Sequence, residues 1–231
     1  SIGMLGADFA LETGAYRITH IHQGAPWADG VRSPLRGVSE GEFLFAVNGV
    51  PLDTTKDPRA AFDGLAGKKV TIRAGSSPAN ARDVEVTPIA SETELRAAAW
   101  VERNRAWVDE ASGGRIGYLR VSDFGMNGFN SFMAQLGGQL TKAALIIDPR
   151  WSPGGWTGGL LGETLSRPEL NFLTYRYATT TWPAIRLGVH HGPKALLVNH
   201  MTVSAGENFA YYFRKLKLGP LVGSRTWGGL T

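Results

Sequence analysis

Residues 194–212 read KALLVNHMTVSAGENFAYY, and they join an apolar run to a helical pattern through a short polar turn. The run from Ala195 to Val198 is typical of a buried strand, and the residues after Ser204 have the apolar spacing of a helix. A serine at such a junction stands beside the amides of a helix N-terminus, where a developing negative charge is best stabilised. We therefore predict that Ser204 is a nucleophile.

The same turn has a second interpretation as a helix cap. Ser204 and Glu207 match the Ser-x-x-Glu capping box, in which the serine caps the helix and the glutamate accepts from the serine amide. A capping serine still leaves the Ala205 amide for an oxyanion. The combined prediction is a nucleophile at a cap, whose resting hydrogen bond to the backbone has to break before attack.

A second turn of the same kind occurs at residues 148–156, which read DPRWSPGGW. It follows an apolar strand predicted at 143–147 and precedes a helix around 158–165. Ligands of open α/β sheets bind beyond the carboxyl ends of the strands, so both turns are expected to face one crevice. Gly155 lacks a Cβ, which would let its amide approach a reacting carbonyl. We predict an oxyanion hole made by the amides of Gly155 and Ala205, with an ordinary strand-to-helix turn as the alternative.

The composition describes a globular chain of 231 residues, a length that suits two small domains. Hydrophobic residues make up 43% and charged residues 19%, and the chain has no apolar run long enough to predict a membrane span. The net charge of +4 is spread along the chain, so nucleic acid is not a predicted partner. The sequence contains no cysteine, which excludes disulfides and is compatible with the cytoplasmic location that we expect.

The histidines do not predict a metal site. His20 and His22 fall on one face of a predicted strand, and His190 and His191 fall in a loop. No cysteine or acidic cluster accompanies either pair, so we expect surface histidines and predict neither a metal nor a cofactor.

Three regions follow one another along the chain, and together they predict an α+β fold. Residues 1–90 predict a small β-rich domain, with strands at 15–22, 42–47, 70–73 and 83–87. Residues 91–114 predict a connecting helix that opens on a capping box and packs through Trp100 and Trp107. From 115 to 231, strands alternate with helices, which predicts an α/β domain with a largely parallel sheet. Shorter helical segments are predicted at 26–29 and from Asp57-Pro58 to Leu65.

The first region resembles a PDZ domain of the permuted kind found in bacterial and archaeal proteases. The matching pieces are LGADF at 5–9, RSPL at 32–35 and GEFLFAVNGV at 41–50. In such domains the loop before the first strand donates amides to a peptide's C-terminal carboxylate, and the peptide adds as an edge strand. The resemblance implies a peptide-binding loop at Leu5, Gly6 and Ala7, for which an ordinary glycine turn is the alternative.

The third region resembles the catalytic half of the tricorn protease family and, more distantly, the carboxy-terminal processing peptidases. The matching pieces are IDPRWSPGGW at 147–156, MTVSAGE at 201–207 and YFRKLKLGPLVGSRTWGG at 212–229. The resemblance implies an incomplete crotonase-like or Clp-like catalytic domain, with Ser204 as nucleophile and Gly155 and Ala205 as oxyanion donors. It also implies peptide substrates and a homo-oligomer.

The chain departs from the family pattern at several positions. Pro153, which has no amide, stands where the family usually has glycine, and Ala205 replaces the aspartate common in tricorn relatives. Gly229, which has no ionisable group, occupies the position of the lysine base of the processing peptidases, so we do not expect a Ser-Lys dyad. The tricorn pattern takes its histidine from before the PDZ domain and a supporting glutamate from beyond Thr231. We therefore expect the isolated chain to have little or no peptidase activity.

Two other functions compete with the peptidase. The first is a catalytically inactive, PDZ-containing protein that binds peptides, and the departures at Pro153 and Ala205 favour it. The second is an acyl-transfer enzyme of the crotonase type, although no part of the sequence indicates a site for coenzyme A.

Overall fold

A computed structural model describes residues 1–25, 31–168, 172–177, 180, 182–183 and 190–230. The chain divides into two compact units, Ser1–Arg103 and Asn104–Thr231, and each unit contains its own hydrophobic core. The helical turn predicted at 26–29 lies outside the described residues. No helix in the described part of the chain is long and apolar enough to cross a membrane.

The first unit is built on an antiparallel sheet in which the strand order is β1-β2-β3-β5-β6 and β4 pairs with β3. Alternating apolar side chains of these strands, such as Ile18 and Ile72, face the core together with Phe62. The four predicted strands are confirmed, but β1 was not predicted. The strands are β1 (Ala7–Glu12), β2 (Ala15–Ile21), β3 (Phe43–Val47), β4 (Val50–Pro51), β5 (Val70–Gly75) and β6 (Arg82–Val86).

Two short 3-10 helices lie between these strands. The first spans Pro58–Phe62, and the Asp57 carboxylate accepts from the Arg59 amide at 2.8 Å, which confirms the helix start predicted there. The second spans Pro78–Asn80 and lies in the polar loop before β6.

The connecting helix α1 spans Thr93–Ala111. Two details of its prediction are wrong. Ser91 Oγ accepts from the Thr93 amide at 3.3 Å, so its partner is not the amide that a capping box with Glu94 requires. Trp107 is 69% exposed, because the buried stripe of the helix is formed by smaller side chains such as Leu95 and Ala98.

The second unit is an α/β layer, as predicted. Its sheet is parallel with the order β12-β11-β8-β7, and β9 pairs with β10 in a separate two-stranded sheet. The strand β12 was not predicted. In chain order the elements are β7 (Ile116–Arg120), α2 (Met126–Gly137), β8 (Ala144–Asp148), α3 (Gly158–Ser166), β9 (Phe172–Leu173), β10 (Trp182–Pro183), β11 (Lys194–Val198), α4 (Ala205–Lys215) and β12 (Leu221–Gly223).

Candidate active site

The two predicted turns meet at one edge of the parallel sheet. Strands β8 and β11 are neighbours, with Leu196 opposite Ile147, so the turns that follow them leave the sheet side by side. The Val203 amide donates to the Ser152 carbonyl at 3.3 Å, which joins the two turns directly. The structure therefore brings the Gly155 turn and the Ser204 turn together, as the sequence predicts.

Ser204 has an unusual backbone conformation at the start of α4. Its φ of 53° and ψ of −117° place a residue that is not glycine in the left-handed half of conformational space. Such strain concentrates at functional sites, and serine nucleophiles occur on sharp strand-to-helix turns of this kind. Its side chain makes no capping hydrogen bond and has no partner among the described residues. The predicted side-chain cap is therefore wrong, and the resting hydrogen bond that it required is absent.

Glu207 has a different role from the one that the capping box predicts. Its buried carboxylate accepts from the amides of Gly228, Gly229 and Leu230, the last two at 3.1 and 3.2 Å. Burial alone would raise the pKa of the Glu207 carboxyl, but these donors outweigh burial and lower the pKa below its ordinary value. Glu207 thus fastens residues 228–230 to the first turn of α4.

The two glycines of the first turn are required for packing. Gly154 has a φ of 95°, and a Cβ built on it would lie 2.7 Å from Ser204 Cβ and 3.3 Å from Ser204 Oγ. A Cβ on Gly155 would lie 2.2 Å from the carbonyl carbon of Phe124. Gly154 therefore leaves room for the serine, and Gly155 lets the turn pack on the Phe124 backbone. This packing is a reason for glycine at position 155 that was not predicted, and the approach of its amide to a reacting carbonyl stays a prediction.

Two amides beside Ser204 have no acceptor. Neither the Gly155 amide nor the Ala205 amide donates to another group within the described residues. The amides next to them are used: that of Trp156 donates to a carbonyl at 2.8 Å and that of Gly206 donates to a carbonyl at 2.9 Å. An oxyanion hole needs unpaired donors of this kind beside a nucleophile.

A buried ionic cluster, which sequence reasoning missed, holds the turn after β8. Asp148 is fully buried and accepts from the Tyr118 hydroxyl at 2.6 Å and from Arg150 Nε and Nη2 at 2.8 and 2.7 Å. Arg120 Nη1 donates to the carbonyls of Asp148 and Arg150 at 2.7 and 2.6 Å. Burial and the nearby Asp148 charge raise the pKa of Tyr118, which keeps its hydroxyl a donor.

One sequence signal could have indicated this cluster. Asp148 directly follows a fully apolar strand, and a carboxylate carried into a core needs a charged or hydrogen-bonding partner. Arg150 stands two residues later and is one such partner. The other two come from β7, about 30 residues earlier in the chain, and no local pattern connects them to Asp148.

Two histidines are buried, although surface positions were predicted for them. His22 Nε2 lies 3.1 Å from Asp8 Oδ2 and 2.7 Å from Arg96 Nη1, and His190 Nε2 lies 2.7 Å from the Lys142 carbonyl. Burial is the main cause that lowers the pKa of both histidines. Across the described ranges, no group of three or more histidine, aspartate or glutamate residues could hold a metal.

The predicted peptide-binding loop lies at the start of β1. Leu5 and Ala7 are buried, and Gly6 has a φ of 68°. The Gly6 amide is not free, because it donates to Glu92 Oε1 at 2.7 Å.

Two protein-family models match the chain. One describes the PDZ domain of tricorn protease and matches residues 3–91, and the other describes peptidase family S41 and matches residues 115–231. The chain therefore belongs to peptidase family S41, and a tricorn-type PDZ domain precedes its peptidase part. The resemblances predicted from the sequence and the overall fold class are confirmed.

Individual relatives agree with this placement. The chain is 34% identical to "Putative tricorn protease homolog 2" of Streptomyces coelicolor, an alignment that covers 99% of this chain and 20% of the relative. It is 30% identical to "Tricorn protease" of Thermoplasma volcanium, with 99% and 22% covered. The solved structure titled "Crystal structure of the tricorn protease" superimposes with a TM-score of 0.90 at 28% identity, with 99% and 22% covered. The chain thus spans about a fifth of the length of these relatives.

Proposed function

We propose that this chain carries the PDZ domain and the nucleophile of a tricorn-type serine peptidase, and that the whole protein hydrolyses short peptides. The observation that supports this most directly is the conformation of Ser204. Its strained backbone presents an unpartnered hydroxyl against Gly154, at the N-terminus of α4. The peptidase family of the chain supports the same conclusion.

In this proposal the two turns divide the chemistry between them. Ser204 Oγ attacks the carbonyl carbon of the scissile peptide bond, and the negative charge moves to the carbonyl oxygen. The unpaired amides of Gly155 and Ala205 donate to that oxygen, and the N-terminus of α4 adds its dipole. In other serine hydrolases, loss of one such donor costs about 2.7 to 4 kcal/mol of transition-state stabilisation.

The proton of Ser204 needs a base, because a neutral hydroxyl is a weak nucleophile. Among the described residues no group is hydrogen-bonded to the Ser204 hydroxyl. We place the histidine base and its supporting glutamate outside residues 1–231, in the part of the protein that the relatives have and this chain does not cover. The isolated chain should then show little or no turnover.

Kinetics of the full-length protein test this proposal. Ser204→Ala should lower kcat for peptide hydrolysis by about a million-fold. A matched control is Ser166→Ala, since Ser166 is an exposed serine at the end of α3 and donates only to the Glu163 carbonyl. Unchanged turnover by Ser204→Ala would contradict the proposed nucleophile. Turnover by the isolated chain that is lost on Ser204→Ala would contradict the external base.

We also propose that the whole protein works in the cytoplasm as a homo-oligomer. The lack of cysteine is compatible with a reducing compartment, and the assembly is inferred from the tricorn resemblance. Light scattering on the full-length protein should give a multiple of the subunit mass. A monomeric mass at all concentrations would contradict the assembly.

A further inference from the structure

The loop Leu5–Ala7 is in contact with the residues that open α1. Gly6 adopts the left-handed conformation and donates its amide to Glu92 Oε1, and both groups are buried. Leu95 packs directly on the loop, because a Cβ on Gly6 would lie only 2.4 Å from Leu95 Cδ2. The loop therefore binds the Glu92 carboxylate of the same chain.

Arg96 binds the other oxygen of the same carboxylate. Its Nε and Nη2 both lie 2.7 Å from Glu92 Oε2, so one oxygen of Glu92 accepts from an amide and the other from a guanidinium. An amide and a guanidinium are donors that suit a carboxylate, and charged hydrogen bonds of this kind are among the stronger ones in proteins. A buried carboxylate is unfavourable without such partners. Gly6 and Arg96 together therefore form a complete carboxylate site.

The same arginine also occupies the start of the edge strand. Within the described sheet β1 is an outer strand, and its first residue is Ala7. Arg96 Nη2 donates to the Ala7 carbonyl at 3.4 Å, and Arg96 Nη1 forms an ion pair with Asp8 Oδ1 at 2.8 Å. A peptide that extends a sheet bonds to the free backbone groups of an edge strand. Arg96 therefore competes with an added peptide strand for the Ala7 carbonyl, the first backbone acceptor of β1.

We propose that Leu5–Ala7 and Arg96 form a carboxylate-binding site whose resident ligand is the Glu92 side chain. The C-terminal carboxylate of a peptide has the same chemistry as Glu92, and it binds at this site only when it displaces Glu92. In the unmodified chain the Glu92 side chain closes the loop to peptide C-termini. Because Glu92 belongs to the same chain, it is always present beside the loop.

A matched pair of peptides tests the site. Fluorescein-labelled Ala-Ala-Ala-Ala-Leu is prepared with a free C-terminal carboxylate and as the C-terminal amide, and anisotropy measures binding to the chain of residues 1–231. Glu92→Ala should bind the carboxylate form about tenfold or more tightly than the unmodified chain. Glu94→Gln is the control, because Glu94 is exposed in the first turn of α1 and carries the same charge. It should bind as weakly as the unmodified chain, and the amide form should bind all three chains equally weakly.

Several outcomes would overturn the proposal. One is equal affinity of Glu92→Ala and the unmodified chain for the carboxylate peptide, with the variant shown to be folded by circular dichroism. Another is equal affinity of Glu92→Ala for the carboxylate and the amide. If Glu92→Ala does not fold, hydrogen exchange on the unmodified chain decides between the two outcomes.

Hydrogen exchange on the unmodified chain provides a test without substitution. The Gly6 amide should exchange much more slowly than that of Gly14, an exposed glycine in the turn between β1 and β2. Exchange of Gly6 at the rate of Gly14 would show that Glu92 is not resident in the loop and would overturn the proposal.

Discussion

The Ser204 turn and the Leu5–Ala7 loop are both expected to bind negative charge through backbone amides, but the amides are unpaired in the turn and paired in the loop. Beside Ser204, the amides of Gly155 and Ala205 have no acceptor among the described residues. In the loop, the Gly6 amide is bonded to Glu92, 86 residues away. A pattern of amides therefore shows that a turn can hold an anion. Whether the turn is open depends on the carboxylates that the rest of the chain brings to it.

The different chemistry that we propose for the two sites accounts for this contrast. An oxyanion develops only during reaction, so a resident carboxylate beside Ser204 would compete with the transition state. The Gly6 amide is buried, and leaving a buried donor unpaired costs about 1 to 3 kcal/mol. An internal partner such as Glu92 removes that cost at Gly6, whereas Gly155 is exposed and its amide can bond to water in the resting state.

Apart from the loss of Ser204 itself, the largest effect is expected when the buried cluster that supports the open turn is disrupted. Asp148→Asn removes the charge that pairs with Arg150 and Arg120 while keeping the side-chain size. Breaking a buried ion pair costs about 3 to 5 kcal/mol, and thermal unfolding of the chain should show a loss of this order. The control Asp63→Asn changes an exposed aspartate and should stay within about 0.5 kcal/mol of the unmodified chain. Equal stability of the two variants would contradict the role given to the cluster.

A smaller effect is expected from closing the open turn with one methyl group. Gly154→Ala places a Cβ against Ser204 in a backbone conformation that disfavours alanine, so the serine has to move. Misplacement of a reacting group by about 1 Å can cost about a hundredfold in rate, which kcat of the full-length protein would reveal. In the control Gly159→Ala, the new Cβ would meet only Tyr212 at 3.8 Å, and kcat should not change. A normal rate for Gly154→Ala would show that the turn tolerates the contact.

The smallest effect is the pH dependence of folding stability that arises from His22 and Asp8, beside the Leu5–Ala7 loop. Burial, followed by the Arg96 charge, lowers the pKa of His22 below its ordinary value of 6.5, although Asp8 opposes this shift. As the pH falls below 6.5, the unfolded chain binds a proton at this histidine before the folded chain does, so folding stability should fall. The Asp8 pKa is also lowered, because Arg96 and His22 outweigh the effect of burial. The contribution of Asp8 to folding stability should be lost only at more acidic pH, below 3.8, the ordinary pKa of an aspartate.

Thermal unfolding between pH 7 and pH 5 measures this dependence. His22→Gln should make the transition less sensitive to pH, whereas the exposed His200→Gln should leave the dependence unchanged. Higher stability at pH 5 than at pH 7, or an unchanged slope in His22→Gln, would contradict the expected direction of the pH dependence.

Local features of the fold were predictable from the sequence. The apolar runs that became β8 and β11, and the helical spacing of α4, are signals contained within about ten residues, and they locate Ser204 at a strand-to-helix junction. Parallel pairing of those strands then brings the Gly155 turn to the same edge. This much follows from periodicity and topology.

The partners of individual groups were not predictable in the same way. The capping box predicted that Glu207 accepts from the Ser204 amide, but its partners are the amides of residues 228–230. Glu92 lies in the segment that was predicted to start the connecting helix. In the structure its carboxylate accepts from the Gly6 amide, in the loop Leu5–Ala7 at the other end of the first unit's sequence. A capping pattern compares residues three positions apart, so it contains no information about an acceptor or donor that the fold brings from elsewhere.

The most direct test of the open Ser204 turn is covalent labelling of the full-length protein with a fluorophosphonate probe, followed by peptide mapping. We predict that Ser204 is modified and that Ser204→Ala abolishes the labelling, because the hydroxyl is unpartnered and the amides of Gly155 and Ala205 can hold the phosphonyl oxygen. Absence of modification at Ser204 in folded full-length protein would contradict the proposed nucleophile and favour a peptide-binding protein without catalysis.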